Sequence, residues 1–466
     1  MDGASILAAL DSVAHESTLF AGAGFLIGGI DDLAVDAVYL ARRLSPLRKR
    51  EAVPRLLADI PRDHAPRLAI FIAAWDESNV IEAMLRQALD RIDYADYTIH
   101  VGTYPNDRAT IGAVAAVAAT SLRVRLVIGP KPGPTTKADC LNAIWRAMVQ
   151  DAASGEPMPE AVIIHDAEDV IHPSELRVHA ALIRDHDLVQ LPVVPLMDPS
   201  SRLVAGHYGD EFAVAHGLVL PVRHAVGAAI PLAGVGCAVR SEMLQRIADE
   251  REDGPFDGSS LTEDYEMGLT VARLGGRVTF ARISERRSGP PVAVRAFFPA
   301  TLDAAIRQKA RWMTGIALAG WDRTGWGRAG ALSEHWMRMR DRRALMAVIV
   351  LLAGYIGVVS TGLSLLAHSL FDIAPPAIST PMRMVLSATL LLLCWRLTVR
   401  AWFSGRLYGW RQGLWSLPRA MVGNYIALLA ARRALTRYIA MLFGAAIRWD
   451  KTVHRFPETE EEMALR

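Results

Sequence analysis

Ala161-Val-Ile-Ile-His165 runs straight into Asp166-Ala167-Glu168-Asp169. The first five residues read as a short buried strand. The acids crowd its carboxyl end, where open α/β sheets carry their functional groups. Residues two apart on extended backbone project to one side, so Asp166 and Glu168 can share one hard cation. Mg2+ or Mn2+ takes such oxygens together with substrate phosphates.

The same grammar extends on both sides. Leu68 to Ala74, Thr98 to Thr103, Val124 to Ile128 and Leu188 to Val194 read as further strands, and Ser78 to Arg91, Ile111 to Thr120 and Ala138 to Val149 as helices. This alternation predicts an α/β domain over residues 68–320 with a largely parallel sheet. Asp76-Glu77 and Asn106-Asp107 fall just after predicted strands and join the acid turn as candidate donor-binding residues.

Three more stretches carry chemistry. Thr262-Glu263-Asp264 opens a helical stretch with Thr262 in the N-cap place. Capping alone explains the triplet; the functional alternative makes Glu263 and Asp264 the catalytic acids, with Asp264 taking a proton from an acceptor hydroxyl. Gln308-Lys309-Ala310-Arg311-Trp312 puts Gln308, Arg311 and Trp312 on one helix face. There Arg311 suits a departing diphosphate and Trp312 a sugar ring. The loop from Lys131 to Asp139 brings Lys137 and free backbone N–H groups to a helix start, which suits an anion. Gly234-Val-Gly236 with Arg240 offers a close backbone approach for an acceptor. His165, His172 and His207 lack metal-ligand spacing and read as structural or as supports behind the site residues.

The remainder belongs to a membrane. Of the 466 residues, 52% are hydrophobic, and mean hydropathy is +0.20. Residues 1–41 hold one membrane helix, about Ser17 to Leu40, whose Asp31, Asp32 and Asp36 face protein or water. With no Lys or Arg before Arg42 it lacks the positive region of a signal peptide. Residues 42–67 form a basic linker and 321–343 a basic membrane-proximal segment. Residues 344–403 hold two spans, Ala344 to Leu370 and Ile378 to Leu397. Residues 404–448 read as interfacial or as a further membrane helix, with Gly413 to Leu435 and Arg437 to Arg448 as separate segments, and residues 449–466 as a tail. Arg42, Arg43, Arg48, Lys49 and Arg50, then Arg338, Arg340, Arg342 and Arg343, then Arg400, Arg406 and Arg411 flank the spans on what should be the cytoplasmic side. That places the α/β domain in the cytoplasm. The net charge of +2 argues against nucleic acid as a partner. Three cysteines without C-x-x-C spacing argue against a disulfide framework or a zinc site.

In this order and at these separations, the motifs resemble glycosyltransferase family 2 with a GT-A fold. Ala73-Ala-Trp-Asp-Glu77 is similar to that family's first-strand signature, Lys137 to Asn142 to its Lys-Ala-x-x-Leu-Asn element, and Asp166 to Glu168 to its metal-binding DxD motif. Thr262 to Asp264 is similar to the TED motif and Gln308 to Trp312 to the QxxRW motif of membrane-bound members. Val101 to Asp107, Pro132 to Asn142, His165 to Val170 and Trp449 to His454 narrow the likeness to the phage-adsorption subgroup, over nearly the whole chain.

The resemblance implies a bacterial inner-membrane, inverting enzyme that uses a nucleotide-sugar donor and Mg2+ or Mn2+. Its acceptor would be an exported polysaccharide, with a lipid-linked phosphate acceptor or a catalytically inactive scaffold as alternatives, and an outer-membrane export or adsorption partner. The chain departs from the pattern twice. Asn106 stands where an Asp is usual, and Glu168 where the second DxD acid is usual, which leaves metal duty open between Glu168 and Asp169. Members of the subgroup also carry a C-terminal cyclic-di-GMP-sensing domain, which is expected to be lacking in this sequence, so direct regulation of that kind is not carried over.

Overall fold

The computed structural model describes residues 3–44, 55–62, 65–287, 289–445 and 454–457, with 459 and 462. Arg48, Lys49, Arg50 and the start of the Trp449 to His454 motif lie outside these. The strands are β1 (Leu68–Ala73), β2 (Tyr97–Thr103), β3 (Val124–Ile128), β4 (Ala161–His165), β5 (Leu188–Gln190), β6 (Cys237–Arg240) and β7 (Val278–Phe280). They form one sheet in the order β3-β2-β1-β4-β6-β5-β7. Pairing is parallel except that β6 runs antiparallel to both β4 and β5.

Helix α1 (Gly3–Leu44) precedes the sheet. Interleaved with the strands are α2 (Ile81–Arg91), α3 (Arg108–Ala118), α4 (Lys137–Ala153), α5 (Glu175–Ile183), α6 (Val204–Val214), α7 (Leu220–Ala225), α8 (Ser241–Asp249) and α9 (Glu263–Arg273). After the sheet come α10 (Leu302–Met313), α11 (Ala319–Thr324), α12 (Leu332–Arg342), α13 (Ala344–Leu370), α14 (Thr380–Tyr408) and α15 (Trp410–Leu442).

The centre of the sheet explains its sequence. β1 and β4 are buried at every position, so their apolar runs are continuous rather than alternating. Leu68, Ile70 and Ile72 enter the core on one face with Ile163, Met84 and Leu176. Ala69, Phe71 and Ala73 enter the core on the other with Ile164, Trp145 and Met148. The strand expected over Leu188 to Val194 keeps its ladder only to Gln190. Pro192 has no N–H to continue it, and the chain goes on through single bridges such as Val193 to Val294.

Among the described residues, three helices are long and apolar enough to cross a membrane: α1, α13 and α14. The acids of α1 are matched by protein groups. Asp31 accepts from Trp336 Nε1 at 2.6 Å and from Arg343 at 2.6 Å. Asp32 accepts from Arg340 at 2.9 Å and Arg343 at 2.8 Å. Asp36 accepts from Trp395 Nε1 at 2.7 Å. The two segments expected over Gly413 to Leu435 and Arg437 to Arg448 form one helix, α15, through its described end at Leu442. Arg419, in the middle of its apolar part, is 1% exposed. It donates to the Arg202 carbonyl and to Gln412 Oε1, each at 2.6 Å. Gly206 makes room for it, since a Cβ there would lie 2.4 Å from Arg419 Nε.

Candidate active site

The carboxyl ends of β1, β2 and β4 open on one cleft. After β1, Asp76 takes the left-handed conformation at φ 54°. Its N–H donates to Asp107 Oδ2 at 2.6 Å, and the Glu77 N–H donates to Thr110 Oγ1 at 3.0 Å. Asp107 also caps α3 by accepting from the Thr110 N–H at 3.2 Å, so its carboxylate is a joint between the β1 loop and α3. Asn106 Nδ2 donates to the Gly133 carbonyl at 2.8 Å, and the Gly133 N–H donates back to Asn106 Oδ1 at 2.7 Å. Asn106 therefore holds the loop before α4, a job that needs a donor and an acceptor on one side chain. The same loop rests on Trp75 and Tyr104: a Cβ on Gly133 would lie 2.6 Å from the indole and 2.9 Å from Tyr104.

Helix α4 organises the floor. Thr136 caps it, accepting from the Asp139 N–H at 3.2 Å. Lys137 forms an ion pair with Asp166 and donates to the Gly234 carbonyl at 3.2 Å. One turn on, Asn142 Nδ2 donates to the Phe256 carbonyl at 2.7 Å and its Oδ1 accepts from the Phe256 N–H at 3.0 Å. The Lys-Ala-x-x-Leu-Asn element thus ties the acid turn, the Gly234 loop and the loop before α9 to one helix.

The three acids of the turn point in different directions. Asp166 meets Lys137, and that ammonium holds its carboxyl below the usual range against the opposing effect of burial. Glu168 faces Glu77 and is pushed up to about 8, first by burial. Asp169 is turned inward: it is 2% exposed, and its Oδ2 accepts from His165 Nδ1 and from the Asp166 N–H, each at 2.9 Å. That leaves Glu168, not Asp169, turned toward Glu77 and His454.

Gly234 joins this cluster to the start of α9. It has φ 83°, and a Cβ there would lie 2.7 Å from Asp264 Oδ2. Asp264 and Glu263 are both raised by burial, Glu263 to about 7 with Asp264 as its next cause. The charges of Lys137 and Arg311 act on both acids in the opposite sense. The acids near 166 and 264 therefore share one cleft, with Lys137 and Arg311 between them. Thr262 sits at the N-cap position, but its side chain caps nothing. It turns instead to Gly315, where a Cβ would lie 2.6 Å from both Oγ1 and Cγ2. The π-helical turn Thr314–Leu318, directly after α10, makes that approach. On α10, Trp312 packs edge-on against Tyr208 at 6.0 Å, and Gln308 Oε1 is buried with no hydrogen-bond partner among the described residues. Arg240 lies away from the cleft, on the carbonyls of Ile183, Arg184 and His186.

One residue was not read as functional. His454 returns from beyond α15 to the acid cluster, its Nδ1 2.8 Å from Glu77 Oε1 and 3.2 Å from Glu168 Oε2. Its imidazole is raised to about 9 by Glu168 and Glu77, which outweigh burial. Phe456 packs against the sheet core and Arg455 lies 4.9 Å over the Phe297 ring. The Trp449 to His454 motif was the available signal, although nothing in it says where the tail goes. Glu77, Glu168 and His454 offer one ligand atom each, all within 4.8 Å of one another. This mixed carboxylate and imidazole set suits a divalent cation.

A seven-stranded mixed sheet, acids at its strand ends and a basic-aromatic helix closing the cleft define a nucleotide-sugar glycosyltransferase of the GT-A type. The chain belongs to glycosyltransferase-like family 2, whose family model matches residues 66–315. It is 35% identical over 468 aligned residues to bacteriophage adsorption protein B of Escherichia coli K12. The likeness to bacteriophage N4 adsorption protein B of Escherichia coli O157:H7 is the same. The alignment takes in 94% of this chain and 62% of the relative, so the chain spans less than two thirds of the length of these proteins. Among solved structures, a mannosyltransferase from Pyrobaculum calidifontis, in complex with GDP-Man and Mn2+, shares the fold at TM-score 0.55 and 16% identity. That match covers 91% of this chain and 99% of the other.

Proposed function

We propose that this chain is a metal-dependent, inverting glycosyltransferase of the bacterial inner membrane. Its catalytic domain faces the cytoplasm, and it extends an exported polysaccharide from a nucleotide-sugar. The observation that carries this reading is the convergence of Asp166, Lys137, Gly234 and Asp264 on one cleft, with the charge of Arg311 acting on both acids. Asp264 accepts the proton of the acceptor hydroxyl as that oxygen attacks the anomeric carbon and the bond to the diphosphate breaks. Arg311 and Lys137 neutralise the departing diphosphate. Trp312 and Gln308 line the acceptor side, and Asp76 with Glu77 lies at the donor end.

Glu168, Glu77 and His454 would hold Mg2+ or Mn2+, with Asp166 beside them; when bound, the cation offsets charge on the donor diphosphate. The Mn2+ and GDP-Man of the archaeal mannosyltransferase support a donor of this class. The adsorption-protein relatives support an export or adsorption partner at the outer membrane.

The test is a panel of UDP-, GDP- and TDP-sugars with membranes holding the chain, with and without Mg2+ or Mn2+, followed by product sizing. A long product supports the polysaccharide reading, and a lipid-linked monosaccharide replaces it with the single-transfer reading. Asp264→Asn should lower kcat ~10²–10⁴-fold with donor KM little changed. A variant that keeps full transfer removes Asp264 as the base.

A further inference from the structure

Behind the acid turn lies a chain of ionisable groups that the proposed reaction does not use. His165 ends β4, and its Nδ1 donates to Asp169 Oδ2 at 2.9 Å. On its other side, Nε2 lies 2.9 Å from Glu175 Oε1, and Glu175 Oε1 lies 3.5 Å from His179 Nε2. The side chains of His165, Glu175 and His179 are 0% exposed and that of Asp169 is 2% exposed. Polar groups in such a place cost stability unless they are paired, and apolar side chains would fill the same space without that cost.

The links have a direction. Glu175 begins α5, on the far side of the turn from β4, so the His165–Glu175 contact closes the turn at its two ends. Inside it, Asp169 accepts from both His165 and the Asp166 N–H. Asp169 N–H donates back to the Asp166 carbonyl at 3.2 Å. The backbone of Asp166 is thus held by Asp169, Asp169 by His165, and His165 by Glu175. A side chain at 165 that released Asp169 would leave a buried carboxylate free to turn toward Asp166 and Glu168. It would then compete for the cation in the wrong geometry.

We propose that His165 is a positioning residue for the cation site: clamped between Asp169 and Glu175, it keeps Asp169 out of the cleft and fixes the backbone that presents Asp166 and Glu168. This rests on the cation assignment made above for Glu168, Glu77 and His454.

The experiment is titration of the purified full chain with Mn2+ alone, read by the electron paramagnetic resonance of free and bound ion, for the parent, His165→Gln, Glu175→Gln and Glu168→Gln. The amide in His165→Gln reaches only one of the two carboxylates. It should weaken Mn2+ binding ~10–100-fold, the range for partners that orient metal ligands, and broaden the bound-ion spectrum. Glu175→Gln keeps the shape of the side chain and guards against loss of fold; it should shift affinity in the same direction, by about 10-fold. The double variant should bind no more weakly than His165→Gln, because both act through one link. Unchanged affinity and spectrum in His165→Gln and Glu175→Gln, with Glu168→Gln defective, would overturn the positioning role and leave the cation site standing. Equal binding by the parent and Glu168→Gln would overturn the cation assignment itself, and the positioning role with it.

Discussion

Asp264 and Glu263 sit side by side at the start of α9, and both carboxyls are held above the ordinary range by burial. Neighbouring carboxyls resist ionising together; Asp264 ionises first, and after burial its charge is what raises Glu263 to about 7. The proposed base works only when ionised, so transfer should fall as pH drops through the pKa of Asp264, which burial holds above the ordinary carboxylate value. Glu263 is still neutral while Asp264 ionises, so Glu263→Gln should leave the acid limb of kcat/KM in place. A pH–rate profile of parent and variant checks this; a limb that moves to lower pH in Glu263→Gln would mean that Glu263 carries its charge while Asp264 titrates, and would reverse the order of the two acids. Asn106 makes a second residue-level case. Asn106→Asp keeps the acceptor for the Gly133 N–H but sets an oxygen against the Gly133 carbonyl. The loop over the donor end should loosen, raising donor KM ~5-fold, or about 1 kcal/mol, the size of one net hydrogen bond. An unchanged KM would detach this clamp from donor binding. The motif residues Lys137, Asp166, Asp264 and Arg311 were legible because their chemistry is local to short stretches. The real duty of Asn106 was not, since its partner lies beyond β3 and only the folded sheet brings the two together.

At the level of elements, the join between α9 and α10 matters most. The π-helical turn after α10 carries Gly315 onto Thr262, one residue before the acid pair. The position of Asp264, the proposed base, is therefore mechanically tied to the helix bearing Arg311 and Trp312. Gly315→Ala forces a methyl into space 2.6 Å from Thr262. Overpacking of this kind costs ~1–3 kcal/mol, and here the strain falls on the base, so kcat should drop about 10-fold with donor KM unchanged. Thr262→Ala clears both clashing atoms, and the double variant should regain most of the lost rate. A KM effect alone, or no recovery in the double variant, would place the strain elsewhere. Thr262 shows how an element can be read correctly and its side chain wrongly: the helix starts where expected, but the hydroxyl that could cap it is pulled away by tertiary packing. The long strands and the helices of the parallel half were legible from their apolar runs. β6 and β7, at 4 and 3 residues, are too short to show a period. α15 read as two pieces because its buried face is made of Ala430, Ala431 and Ala434, with Arg419 among them. Small residues at a helix contact leave little hydropathy signal.

For the whole molecule, the question is which way the apolar helices run. Asp31 and Asp32 of α1 grip Arg340 and Arg343 just before α13, and Arg396 of α14 lies 3.5 Å from Asp32. These contacts put one end of all three apolar helices at a single level. On the same side, Arg42 donates to the Ala225 carbonyl of α7 and Arg400 lies 3.5 Å from Asp210 of α6, two helices of the catalytic domain. The basic ends of the helices and the catalytic domain thus share a side, which the orientation proposed above, by the positive-inside rule, places in the cytoplasm. The loop between α13 and α14 then lies outside. Cysteine labelling decides this with little background, because Cys140 and Cys237 are buried and only Cys394 needs replacing, as Cys394→Ser. In that background, Ala377→Cys in the exposed loop should react with a membrane-impermeant maleimide on intact cells. Glu252→Cys, on the surface of the catalytic domain, should react only after lysis. The opposite pattern would put Asp166 and Asp264 outside the cell, away from any supply of nucleotide-sugar, and the proposed reaction would have no donor.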